Sequence, residues 1–166
     1  MIHIRQTREA DVPLVLTLIR ELARYERLEH EVVASEADLR SALFGTRPYA
    51  EAVLACLDEV PQGFALFFHN FSTFRGRPGL YLEDLYVRPE ARGLGLGKAL
   101  LEHLAHTAIE RGCARLEWAV LDWNEPSIGF YRSLGAVPRD EWRIFRLTGD
   151  ALERVAGGAP TSRRSG

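Results

Sequence analysis

The sequence predicts a single α/β domain in which one mixed sheet is covered by helices, and three observations carry that expectation. Stretches with apolar residues at helical spacing alternate with short apolar runs of strand length. Turn segments containing glycine and proline, such as DEVPQG and FRGRPG, fall between them. The 166 residues are 46% hydrophobic and 27% charged, which suits one soluble domain with a sizeable core.

Met1–Arg5 reads as a first strand. From Ala10 to Tyr25, Val12, Val15, Ile19 and Leu22 form one helical stripe, with Asp11 near its start. Ser35–Asp38 resembles a capping box opening a second helix that ends near Leu43. Ala50–Leu57 and Gly63–Phe74 read as strands joined by the turn DEVPQG, and FRGRPG leads to another strand, Leu80–Val87. Gly97–Arg111 is a helix with Leu100, Leu101, Leu104, Ala105 and Ala108 on its apolar side, followed by a strand at Arg115–Leu121. Asn124 caps a helix with proline in its first turn, which Gly135 stops. Trp142–Leu147 reads as a last strand. The domain spans residues 1–156, and the small, polar tail of residues 157–166 is expected to be mobile.

Several function classes are excluded early. With 21 basic and 23 acidic residues the net charge is −2, so no basic excess points to nucleic acid. Cys56 and Cys113 match no metal or CxxC spacing and read as buried thiols. His103 and His106, three apart, lie off the apolar side of their helix and read as solvated rather than metal ligands. No apolar run is long enough for a membrane span or leader, so a cytoplasmic location is expected.

The segment RPEARGLGLGKA, Arg88–Ala99, poses the chemical question. Where a strand hands over to a helix, successive N–H groups point the same way and attract phosphate. Glycine lets an anion approach the backbone without meeting a Cβ. Arg92 and Lys98 bracket Gly93, Leu94, Gly95, Leu96 and Gly97 with positive charge, so the loop reads as an anion cradle; a ligand-free turn is the alternative. The Walker A pattern fails, because Arg92 occupies its first glycine position and Ala99 its Ser/Thr. The dinucleotide fingerprint fails because the glycines run G-x-G-x-G.

Arg92–Gly97 resembles the R/Q-x-x-G-x-G/A pyrophosphate loop of the GNAT superfamily of N-acetyltransferases. Within it, ELARYE (Glu21–Glu26), YLEDLYV (Tyr81–Val87), RGLGLG and WNEPSIGFY (Trp123–Tyr131) are similar to the diamine (spermidine/spermine) N-acetyltransferases. The resemblance implies a mixed, mostly antiparallel sheet and acetyl-CoA as co-substrate, with no metal. It also implies direct acetyl transfer to a primary amine of a small diamine, polyamine or lysine-like amino acid.

An alkyl amine with a pKa near 10.4 is almost wholly protonated at neutral pH, and a carboxylate, directly or through water, can take the amine proton during attack. Glu83 and Asp84 interrupt an otherwise apolar strand and are candidates; solvent exposure at a sheet edge is the alternative. The resemblance assigns water-mediated proton removal and amine binding to Glu83, with the charge of Asp84 expected to join it in attracting the amine. It makes Tyr131 the general acid for the departing thiolate, whereas alone Tyr131 reads as a packing aromatic on a stripe with Ile128 and Leu134. Proton transfer from a phenol near 10 to a thiolate near 8.5 is uphill by only about 2 kcal/mol. Backbone groups of Leu85, Tyr86 and Val87 are expected to bind the pantetheine arm like a further strand, with Asn124, Ser127, Phe130 and Tyr131 also lining the cofactor. Tyr25, Glu26, Glu29 and Glu31 form an acidic-aromatic cluster, and the resemblance carries Tyr25 and Glu26 into the amine site, with Glu141 and Trp142 from the shorter segment PRDEWR. Protein acetylation and a non-catalytic acyl-CoA sensor are the competing functions; the family often forms homodimers, and one is expected here.

Overall fold

The computed structural model describes residues 1–157. They form two compact units, Met1–Trp123 and a second that starts at Asn124. The expected tail lies, apart from Gly157, outside the described residues.

The first unit runs β1 (Ile2–Gln6), α1 (Val12–Tyr25), α2 (Glu36–Phe44), β2 (Glu51–Leu57), β3 (Val60–Ser72), β4 (Arg77–Val87), α3 (Leu96–Glu110) and β5 (Leu116–Trp118). The sheet order is β1-β2-β3-β4-β5. Its first four strands are antiparallel, and β5 joins β4 in parallel. This is the mixed, mostly antiparallel α/β sheet that the sequence leads one to expect.

Strand alternation decides which helix meets which side chain. Leu54, Cys56, Phe64 and Tyr86 join Val12, Val15, Leu16, Leu18 and Leu22 of α1 and Leu39 of α2 in one buried cluster. Val53, Ala55, Ala65 and Phe67, also buried, take the opposite parity. The buried stripe of α3 is Leu96, Leu100, Leu101, Leu104 and Ala108. The start of α1 is pinned by a bidentate pair, Arg5 donating to Asp11 at 2.8 and 2.9 Å. Ser35 and Asp38 exchange hydrogen bonds as the expected capping box of α2. The β2–β3 turn is tighter than DEVPQG implies: Asp58 and Glu59 alone span it, at φ of 47° and 68°, the two positive values of a type I′ hairpin.

The second unit contains α4 (Glu125–Ser133) and α5 (Gly149–Val155). The expected strand at Trp142–Leu147 is corrected here, since residues 137–148 carry no β-ladder. An apolar run of strand length says which side chains seek burial, not which backbone they bond. The strand at Arg115–Leu121 shortens likewise to Leu116–Trp118, and α5 was not anticipated. Cys56 and Cys113 are buried free thiols as expected. His106 is exposed, but His103 is half-buried and burial lowers its pKa, so only one of the two histidines is solvated. Among the described residues no helix is long and apolar enough to cross a membrane.

Candidate active site

The strand β4 carries two features that sequence alone could not join. Leu66 of β3 faces Asp84 and Phe67 faces Leu82, so Glu83 is the extra residue of a β-bulge. A bulge interrupts the ladder and re-aims side chains. Here Glu83 is exposed and Asp84 half-buried, close enough for their charges to interact. Burial first, then the Glu83 and Glu26 carboxylates, push the Asp84 carboxyl up to about 7. Burial also raises Glu26, at the exit of α1. Glu26, Glu83 and Asp84 are thus one acidic cluster, which brings together three of the residues expected to meet an amine. Glu29 is paired instead with Arg24, at 2.8 Å.

Beyond this bulge β4 loses its neighbour on one side. The β4–β5 ladder covers Leu80 to Leu82, so among the described residues no strand pairs with that edge of β4 from Glu83 to Val87. Leu85, Tyr86 and Val87, the residues expected to hold an extended ligand, lie on this stretch. The Val87 carbonyl already accepts a bond from Arg92 Nε at 2.9 Å.

The turn after β4 has the properties of an anion cradle. Gly93 and Gly95 sit at φ of 78° and 97°, left-handed values that favour glycine. Gly95 is the N-cap of α3 and has no side chain with which to cap that helix. The first N–H groups of a helix lack intrahelical partners, so here they are left for an outside acceptor. A Cβ at Gly93 would meet nothing within 4 Å, so the approach is open. Lys98 stands beside the cradle, 3.6 Å from Glu102. The donor set fits the diphosphate of a coenzyme A-type carrier.

Arg92 is placed differently from the expected flanking charge. Its guanidinium lies 4.8 Å from the Tyr25 ring centroid and 5.6 Å from that of Tyr86. These three, with Glu21, Arg88 and Glu90, line an open cavity of about 570 Å³. Arg88 is held there by a bidentate bond to Glu21, at 3.0 and 3.1 Å.

Two residues that carry no functional signal in the sequence, Arg27 and Trp123, stand next to this group. Tyr25 and Trp123 have ring centroids 6.1 Å apart, and the Arg27 guanidinium lies 4.9 Å above the Trp123 ring. Their signal in the sequence is position only: Arg27 follows Glu26, and Trp123 opens WNEPSIGFY.

In the second unit the buried Asn124 caps α4, its side chain accepting from the Ser127 N–H at 3.4 Å. Tyr131 and Phe130 have ring centroids 5.7 Å apart. Glu141 accepts from Arg139 Nε at 2.7 Å, and its own backbone N–H and that guanidinium hold it below the ordinary carboxylate range. Trp142 is exposed.

Comparison with known proteins agrees with this geometry. Residues 16–136 match the model of the acetyltransferase (GNAT) family. A thialysine N-epsilon-acetyltransferase from Bos taurus is 39% identical, covering 94% of this chain and 98% of its own. The L-ornithine N5-acetyltransferase NATA1 from Arabidopsis thaliana is 34% identical, with coverages of 92% and 87%. Among solved structures, an integron cassette protein from the mobile metagenome of V. cholerae superposes with a TM-score of 0.78 at 30% identity, covering 93% of this chain and 97% of the other.

Proposed function

The chain belongs to the GNAT family of acetyltransferases, and from that premise we propose its acceptor and the roles of its residues. Acetyl passes directly from acetyl-CoA to a primary amine of a lysine-like amino acid or a small diamine. The observation that carries the reading is the order of features along one strand. β4 brings Glu83 and Asp84, then an unpaired edge, then the open cradle at Gly93–Gly97. An amine that meets the acidic cluster would lie a few residues from a thioester laid along that edge.

The ammonium first gives up one proton to water to become the attacking neutral amine, and the Glu83–Asp84 pair receives the second as the N–C bond forms and the nitrogen becomes acidic. Tyr131 donates its phenolic proton to the sulfur as the C–S bond breaks. N–H groups on the β4 edge polarise the thioester carbonyl. Leu85, Tyr86 and Val87 hold the pantetheine arm, the cradle from Arg92 to Lys98 holds the diphosphate, and Asn124, Ser127 and Phe130 complete the cofactor site. Tyr25 and Glu26 join the carboxylate pair in binding the amine, and Glu141 and Trp142 extend that site. The names of the relatives support an amino-acid acceptor.

A Tyr131→Phe variant tests the assignment. Calorimetry should give an unchanged affinity for acetyl-CoA, while turnover with L-ornithine or putrescine falls by about a hundredfold or more. Unchanged turnover removes Tyr131 from the reaction. Running peptides in the same assay separates protein acetylation, and no turnover of any amine would leave only acyl-CoA binding.

The protein is further proposed to act in the cytoplasm as a homodimer. Two free thiols suit a reducing compartment. The exposed Val137, Trp142, Ile144 and Phe145 support a partner surface.

A further inference from the structure

Helix α1 ends in a way that glycine normally serves. The Leu28 N–H bonds the Ala23 carbonyl at 2.7 Å and the Arg27 N–H bonds that of Arg24 at 3.1 Å, the two bonds of a Schellman motif. The residue that must turn left-handed there is Arg27, at φ 62°. A side chain in this conformation is disfavoured by roughly 1–2 kcal/mol, and such outliers cluster at functional sites. Its guanidinium rests on Trp123, whose ring neighbours Tyr25. Among the described residues Arg27 meets no carboxylate, whereas Arg24 is held by Glu29 and Arg88 by Glu21. Glu26, of the acidic cluster, is the preceding residue, so consecutive Cα atoms about 3.8 Å apart carry opposite charges at the exit of α1.

A diamine is cationic at both ends and has no use for that cation. An amino acid with an amine on its side chain carries a carboxylate at the far end. Resting on the acceptor reading above, we infer that Arg27, seated on Trp123, binds the α-carboxylate of an amino-acid acceptor whose distal amine enters the Glu26–Glu83–Asp84 cluster. Arg27 is thereby a specificity residue that selects zwitterionic amino acids over diamines. A guanidinium suits the task because it presents paired N–H donors to a carboxylate while its flat face stays on the ring.

L-Ornithine and putrescine test this, since they share the reacting amine and chain and differ in the carboxylate. In an Arg27→Gly variant, kcat/KM for L-ornithine should fall at least about tenfold, chiefly through KM, as expected for a lost charge-assisted bond. The same quantity for putrescine should rise severalfold, because a like charge has gone. Glycine accepts the left-handed turn, so folding is not at risk, and Arg27→Lys should recover part of the ornithine activity. Equal changes for the two amines, or an unchanged L-ornithine KM, would overturn the role of Arg27 alone. A wild type that binds acetyl-CoA but acetylates no amine would instead bring down the acceptor reading on which it rests.

Discussion

At Asp84 the proton balance of one side chain links catalysis to stability. Its carboxyl is raised from 3.8 to about 7 by burial and by the neighbouring Glu83 and Glu26. The folded chain therefore binds this proton more tightly than the unfolded chain. Stability contributed by the protonated form is fully present below about pH 4 and is lost as pH rises to about 7. Asp84→Asn removes that dependence. The variant should melt several degrees above the wild type at pH 8, and the difference should shrink toward pH 4 in a calorimetric series. Activity moves the opposite way. Wild-type kcat/KM should rise through neutrality with an inflection that belongs to the Glu83–Asp84 pair. In Asp84→Asn it should lose or displace that inflection; a profile superimposable on the wild type would exclude Asp84 from proton transfer. The identities of Glu83 and Asp84 are plain in the sequence, but the bulge that sets one in solvent and half-buries the other depends on register with β3, which lies outside their own stretch.

Among the elements, the start of α3 gives the sharpest test of the cradle. A Cβ at Gly95 would meet only Ile2 Cδ1 at 3.8 Å, an ordinary contact, so the left-handed φ of 97° is what a side chain would strain. Gly95→Ala should lose roughly 1–2 kcal/mol of stability. If the loop's amides hold the diphosphate, the dissociation constant of acetyl-CoA should also rise by about tenfold in calorimetry. Gly112, left-handed beyond the other end of α3 and equally open, supplies the control. Gly112→Ala should show a similar fall in melting temperature with no change in affinity; parallel changes in the two variants would mean that the cradle binds nothing. The glycine loop and the stripe of α1 were legible because their information is local: three glycines at a strand–helix junction, and Val12, Val15 and Leu22 at helical spacing. The Schellman turn at Arg27 was not, because its usual glycine is missing. RGLGLG presents Arg92 as a flanking charge, and nothing in it indicates that the guanidinium lies over Tyr25 and Tyr86.

For the whole molecule, the segment WRIFRL marks the boundary of what a single chain's sequence discloses. It reads as a strand, yet residues 137–148 carry no ladder, and Phe145, Ile144, Val137 and Trp142 are 93%, 79%, 77% and 74% exposed. So many large apolar side chains in so short a stretch are a liability in a monomer, because exposed apolar patches and unpaired backbone both recruit other chains. A homodimer that covers them reconciles the strand-like pattern with its exposure, since a strand needs a partner that need not come from its own chain. Sedimentation velocity at tens of micromolar should therefore give a species of twice the chain mass. The double variant Ile144→Glu, Phe145→Glu should sediment as a monomer with unchanged far-ultraviolet dichroism, since neither residue lies in a helix or strand or is buried in the core. A wild type that stays monomeric under these conditions would exclude the homodimer. A double variant that stays dimeric would place the interface elsewhere and leave this stretch without a role in assembly.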